Sequence, residues 1–270
     1  MNAEERMEKT LSNDYQAYYE KAAIFPQQMD EIELAQFTSV LPPGGGLDIL
    51  DLGCAEGKLA AALARQGHKV SVGDIAPTQL EFAAAEAARA GVRLEGSYLA
   101  DIEAGTGVFA GKRFDAVYFM DVIEHLRNPV AGLEHLRALL KDDGVLVLHT
   151  PNACTIHRFL WHMLRRGPSM DYGNPDKLQD FHFQTYDYLT LEKTLNFIGL
   201  KISELLPTKI AIPRLFTSRF LARCFPLLSD TLLVTCRKTP PIDMDALIEH
   251  WKRTKGGRVD VPTAAPPPRT

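Results

Sequence analysis

The feature that most constrains this chain is a short run, Leu47-Asp48-Ile49-Leu50-Asp51-Leu52, that ends in a glycine-bounded turn, Gly53 to Gly57, and passes into an alanine- and leucine-rich stretch, 58–65. A run this short and apolar, bounded by turn residues, suits a buried parallel strand. A helix must then bring the chain back over the sheet before the next parallel strand can form. The pattern recurs. Residues 69–73 read as a strand ending at Asp74, and 77–90 as a helix with Pro77 in its first turn and Gly91 after its end. Residues 92–100 read as a strand ending at Asp101, 114–120 as a strand ending at Asp121, 126–140 as a helix, and 145–149 as a strand after the exit turn Asp142-Asp143-Gly144. Repeated βα units predict an α/β fold: a doubly wound, seven-stranded, mostly parallel Rossmann-like sheet with a helical lid or insert.

The flanks read differently. Residues 1–46 read as an N-terminal helical cap closed by Pro42-Pro43-Gly44-Gly45-Gly46. Residues 47–152 form the core unit. Residues 153–238 supply substrate-side helices (155–166, 188–197, 213–225) and two closing strands (200–206, 231–237) of the same domain. Residues 239–270 read as a C-terminal helix and a disordered proline-rich tail.

In an open α/β sheet, ligands bind beyond the carboxyl ends of the strands. Those ends carry Asp51, Asp74, Asp101 and Asp121. Glycine in the turn lets backbone amides approach a ligand, and Asp74 stands where a ribose-binding acid follows a βαβ turn. The turn Asp51-Leu52-Gly53-Cys54-Ala55-Glu56-Gly57 is not G-x-G-x-x-G. Acid on both sides of it opposes a pyrophosphate and suits a ligand of mixed charge. Asp74 and Asp101 could also be ordinary strand-end caps, but both fall at strand ends.

These pieces resemble class I S-adenosylmethionine-dependent methyltransferases. The match runs through residues 50–57, Gly73-Asp74-Ile75, Asp101-Ile102-Glu103, Phe114-Asp115-Ala116-Val117, residues 121–126 and residues 139–152, in the family's order. The resemblance implies that the backbone of Gly53, Cys54, Ala55 and Gly57, following Asp51, holds the amino-acid end of the cofactor. It implies that Asp74 binds the ribose hydroxyls and Asp101 the adenine amine, with Ile75 and Ile102 against its faces. Met120 and Asp121 would lie near the methionyl part. Ala55 departs from the glycine the family often has there.

A hydroxyl acceptor needs a base or a metal ion. Glu124 and His125, just past the fourth strand, and His182 downstream are the catalytic candidates. Asp121-x-x-Glu124-His125 with His182 also resembles the metal-binding segment of ubiquinone-pathway and small-RNA terminal 2′-O-methyltransferases, and oxygen-rich ligation would suit Mg²⁺ or Mn²⁺. The alternative is that no metal binds and His125 holds the loop or cofactor. His149 reads as a satisfied buried histidine. Tyr15, Tyr18 and Tyr19 either close over the cofactor or pack.

The expected reaction is methylation of a small acceptor (a sugar, glycan-lipid or quinone- or phenol-like hydroxyl). The other readings are methylation of an RNA ribose, N-methylation, or a non-catalytic scaffold. The resemblance to methyltransferases of quinone and glycan-type pathways favours the first. A formal net charge of −4 argues against a nucleic-acid partner. Four scattered cysteines, a polar N-terminus and no apolar run of ~18 residues fit a reducing cytoplasm and exclude a membrane span. Apolar residues at helical spacing in 155–166 and 213–225 are flanked by arginines. The simplest reading is a core-facing stripe with a solvated basic face. A lid or shallow attachment to an anionic membrane are the alternatives.

Overall fold

The computed structural model describes residues 29–41, 45–155, 183–212, 216–242 and 249. Tyr15, Tyr18, Tyr19, His182, the stretch 156–166 and the proline-rich tail lie outside the described residues.

Helix α1 (Glu31–Thr38) opens on a capping box in which Asp30 accepts the Glu33 amide at 2.7 Å. Strand β1 (Asp48–Leu52) leads into α2 (Lys58–Arg65). Strand β2 (Lys69–Asp74) leads into α3 (Pro77–Arg89). Strands β3 (Gly96–Leu99) and β4 (Phe114–Met120) follow. Helix α4 (Pro129–Leu139) and strand β5 (Leu140–Pro151) complete the first half. Then come α5 (Tyr188–Phe197), β6 (Leu200–Leu206), the hairpin β7 (Ile210–Ile212) and β8 (Phe216–Ser218), α6 (Arg219–Cys224) and β9 (Thr231–Lys238).

The main sheet has seven strands in the order β3-β2-β1-β4-β5-β9-β6. Neighbours from β3 to β5 pair in parallel, and β9 lies antiparallel between β5 and β6. This is the expected doubly wound, mostly parallel arrangement. The strand order reverses between β1 and β4, so a crevice opens beyond their carboxyl ends.

Side chains alternate across β4 and β5, as a period of two requires. Val117, Phe119, Leu146 and Leu148 pack on one face beneath Leu133 and Leu136 of α4 and Leu191 and Leu195 of α5. Ala116, Tyr118, Met120, Val145 and Val147 pack on the other, against Leu59 and Leu63 of α2 and Phe37 of α1. The buried Tyr118 hydroxyl donates to the Phe37 carbonyl at 2.9 Å and ties α1 to the sheet.

Four boundaries differ from expectation. Strand β3 is shorter than 92–100, because Val92 caps α3 by donating to the Ala87 carbonyl. Helix α4 starts at Pro129 rather than 126. A 3-10 turn, Ile123–His125, precedes it, and the Asn128 side chain caps it by accepting the Ala131 amide. The expected exit turn 142–144 lies inside β5, where the register shifts between Phe114 and Ala116 of β4: a bulge replaces a turn. Of the expected helix 213–225, the described part begins as strand β8, and the helix is the six residues of α6. Ser218 caps that helix by accepting the Leu221 amide. Its apolar residues do not form a core-facing stripe, since Phe216 and Phe220 are exposed and only Ala222 is buried.

Candidate functional site

The turn after β1 is held from behind. The Gly53 and Cys54 amides both donate to the Gly73 carbonyl, at 2.8 and 3.2 Å, and Gly57 donates to Cys54 at 2.8 Å. Gly53 has φ 77°, and a Cβ there would come 2.3 Å from Cγ2 of Val122. The turn therefore seats directly against the loop that follows β4. Ala55 adopts φ 44°, a left-handed conformation that costs a non-glycine residue roughly 1–2 kcal/mol. Its amide donates to Oδ2 of Asp74 at 3.2 Å, and the Ala76 amide donates to Oδ1 at 2.9 Å. Asp74 thereby joins the first turn to the start of α3.

Beyond the carboxyl ends of β1, β2 and β4 lies a cavity of about 290 Å³. It is lined by Gly53, Ala55, Asp74, Ile75, Asp101, Ile102, Met120 and Asp121, all expected at a cofactor site. Asp51 and Cys54 line a smaller adjoining recess behind Gly53, with Glu56 and Lys58. Gly57 is not in either wall. It has φ 74° at the N-terminal cap of α2, against Ala83 of α3. Glu56 pairs with Lys58 at 2.8 Å, so the acidity assigned to the turn is partly neutralised.

Burial sets the electrostatics. The Asp51 carboxyl is pushed up to about 7, first by desolvation and then by the charge of Asp74. Desolvation raises Asp74 to about 6, against the amide hydrogen bonds that favour its ionised form. Oδ2 of Asp51 is buried with no hydrogen-bond partner, and so is Oε1 of Gln79, a further residue of the cavity wall. Two buried acceptors without donors, beside two carboxyls that resist ionisation, suit a ligand carrying an ammonium and hydroxyl donors. S-adenosylmethionine has both, and the residues present fit it. The Cys54 thiol is held well above its ordinary pKa by burial and by Asp51, so it stays neutral.

These shifts carry a prediction. The folded chain keeps protons on Asp51 and Asp74 that the unfolded chain releases near its ordinary value of about 4. Through these groups stability falls as pH rises from about 4 to about 7, and is level above. Urea denaturation of the ligand-free protein at about pH 5 and about pH 8 should show this loss. Asp51→Asn should make it distinctly smaller.

The catalytic candidates part company. His125 ends the 3-10 turn and lines the cavity. Glu124 is buried, and its Oε2 accepts the Thr150 hydroxyl at 2.9 Å. Its backbone carbonyl accepts the Gln184 amide at 3.0 Å. Burial and the neighbouring Asp121 push the Glu124 carboxyl well above its ordinary pKa. Glu124 thus ties the loop after β4 to β5 and to the segment before α5, and does not line the cavity wall. His182 lies outside the described residues. Asp121, at φ 53°, pairs with Nδ1 of the buried His149 at 2.9 Å, and the His149 ring meets Phe37 at 5.1 Å with the two rings tilted by 58°. Among the described residues no three His, Cys, Asp or Glu side chains converge as a metal site would require. Asp121, Glu124 and His125 therefore do not assemble the alternative metal set between them.

Sequence reasoning missed Gln79, Glu103, Phe119, Val122, Leu126 and Arg127 of the cavity wall. Glu103 was within reach, two residues past Asp101. Its carboxylate accepts the Asn128 amide and faces Arg127 at 3.8 Å, which joins the β3 loop to the start of α4.

A family model described as a methyltransferase domain matches residues 21–205, more than half of the chain. The ubiquinone biosynthesis O-methyltransferase of Cereibacter sphaeroides is 36% identical over 110 residues, 41% of this chain and 43% of that protein. The chain thus matches under half the length of this curated relative. Among solved structures, the magnesium protoporphyrin IX methyltransferase of Synechocystis PCC 6803 with bound SAH superposes with a TM-score of 0.55 at 17% identity. That match covers 86% of this chain and 100% of that one. The N-methyltransferase NodS of Bradyrhizobium japonicum WM9, in complex with S-adenosyl-L-homocysteine, gives 0.55 at 17% identity, over 84% and 98%. At such identities these two likenesses show the fold.

Proposed function

Because the chain belongs to the methyltransferase domain family, whose cofactor is S-adenosylmethionine, we propose that it methylates a hydroxyl of a small quinone- or phenol-like acceptor. When bound, that cofactor supplies a methyl group on a sulfonium, which is already a good leaving group. The observation that carries the reading is the cavity beyond β1, β2 and β4, lined by Asp74, Asp101 and His125.

The chain's own residues divide the work. The bare Oδ2 of Asp51, at the base of the Gly53–Gly57 turn, takes the ammonium of the cofactor's amino-acid end, while the turn's own amides, already bonded to Gly73, Asp74 and Cys54, hold its shape. Asp74 takes the ribose hydroxyls. Asp101, whose Oδ1 is oriented by the Glu103 amide at 2.9 Å, takes the adenine amine between Ile75 and Ile102. Met120, Phe119 and Leu126 keep water from the reacting atoms. His125 receives the acceptor's hydroxyl proton on an imidazole nitrogen. Positioning supplies much of the rate, since the electrophile needs no further activation. General-base assistance of this kind is worth typically ~10²–10⁴-fold.

The name of the Cereibacter relative supports an oxygen acceptor of this class. The test offers labelled cofactor with catechol- and quinol-type phenols, a sugar and primary amines in parallel. Label on a phenolic oxygen, lowered by about 10²-fold or more in His125→Ala, is expected. Label on the amines alone would overturn the oxygen assignment. With His125 as a plain base, turnover persists in chelator.

A further inference from the structure

The segment between β6 and β9 carries a feature the methyl transfer does not use. Strand β6 runs parallel to β5, since both pair antiparallel with β9. The segment 207–230 therefore leaves and re-enters the sheet at the carboxyl edge, the edge at which the cofactor cavity opens. It is fixed there. The Gln36 side chain donates to the Pro207 carbonyl at 2.7 Å, Lys209 pairs with Glu33, and the Asn152 side chain donates to the carbonyls of Leu227 and Ser229 at 3.0 and 2.7 Å.

This anchored segment carries a run of outward apolar side chains. Phe220 is 73% exposed and Phe225 57%, and Phe216 and Leu227 are about half exposed. Four of the twelve large apolar side chains exposed among the described residues fall within these twelve positions, so this is not the scattered exposure of an ordinary surface. The helix is turned the wrong way for a core: Ala222 is buried while Phe220 and Arg223 face out. Charge is one-sided as well. The sequence from 213 to 228 holds three arginines and no acid. Arg219 pairs with an exposed Asp30 at 3.3 Å, a contact that water and salt screen.

We propose that residues 216–227 form a shallow docking surface for an anionic lipid bilayer, with the phenylalanines entering the headgroup boundary and Arg219 and Arg223 meeting lipid phosphates. Apolar side chains flanked by cations are the chemistry of interfacial binding. Among the described residues no helix is long and apolar enough to cross a membrane. The surface shares the edge of the sheet at which the cavity opens. The inference holds whichever small acceptor is methylated.

The experiment is co-sedimentation of the full chain with vesicles of phosphatidylcholine alone and of phosphatidylcholine mixed with phosphatidylglycerol. Pelleting with the anionic vesicles is expected. It should fall by at least about tenfold in Phe220→Glu/Phe225→Glu, since two buried aromatic contacts are removed. Arg219→Gln/Arg223→Gln should weaken it and flatten its salt dependence. Circular dichroism melts would show that both variants fold, as exposed positions allow. No pelleting, or pelleting unchanged in the phenylalanine variant, overturns the proposal. So does equal binding to the neutral vesicles. A dimer in gel filtration that the phenylalanine variant breaks, without vesicle binding, would assign the face to a second copy of the chain and overturn it too.

Discussion

Replacing Asp74 with alanine is expected to weaken binding of S-adenosylhomocysteine by roughly 10²–10⁴-fold. The reasoning starts from the carboxylate's place at the end of β2, buried and lining the cavity. Two hydrogen bonds to ribose hydroxyls, each charge-assisted, are worth ~1.5–3 kcal/mol apiece. Their sum of ~3–6 kcal/mol converts to that range in Kd. Asp74 also accepts the Ala55 and Ala76 amides, so part of the loss comes through the turn itself. Asp74→Asn separates the two parts. It keeps an acceptor for the amides but removes the charge, and should fall between wild type and alanine. Calorimetric titration of the three proteins makes the comparison. Equal affinity in all three would remove Asp74 from the ribose. Because burial raises this carboxyl to about 6, binding should also weaken below that pH, as the acceptor becomes a neutral acid.

The second large effect is on stability. Gly57→Ala should destabilise the fold by about 2–5 kcal/mol. The residue has φ 74°, and an added Cβ would lie 2.7 Å from both Cα and Cβ of Ala83. The left-handed conformation costs alanine roughly 1–2 kcal/mol, and forcing a methyl into a packed contact costs a further ~1–3. Ala83 is itself buried and on a helix, so it cannot yield as a flexible side chain would. Gly91→Ala is the control. It has φ 69° with nothing within 4 Å of the added carbon, so only the conformational cost applies. Urea midpoints of the two variants should differ by the packing cost. If they coincide, α2 and α3 are not in close contact at Gly57.

Where the sequence was legible, local and global preferences agreed. Strand β4 and helices α2 and α5 have the boundaries their patterns predict, because each is closed by a glycine, an acid or a helix cap. The acids Asp74 and Asp101 reach one cavity because parallel strands deliver their carboxyl ends to one edge. The differences arise where a residue's direction depends on tertiary fit. Glu124 and His125 are neighbours, and sequence offers no reason to separate them. In a 3-10 turn successive residues diverge by about 120°, so one meets Thr150 in the interior and the other the cavity. Gln79 was missed because a polar residue in a first helical turn reads as solvated, although it follows Asp74 by only five positions. Strand β8 was missed because Phe216 falls at helical spacing with Phe220 and Leu221, yet it sits on an exposed strand.

If the cavity beyond β1, β2 and β4 holds S-adenosylmethionine, calorimetric titration of the full chain with S-adenosylhomocysteine should show one molecule bound per chain. A nicotinamide dinucleotide titrated in parallel should give no heat. No heat from S-adenosylhomocysteine, or saturable binding of the dinucleotide in its place, would contradict that assignment.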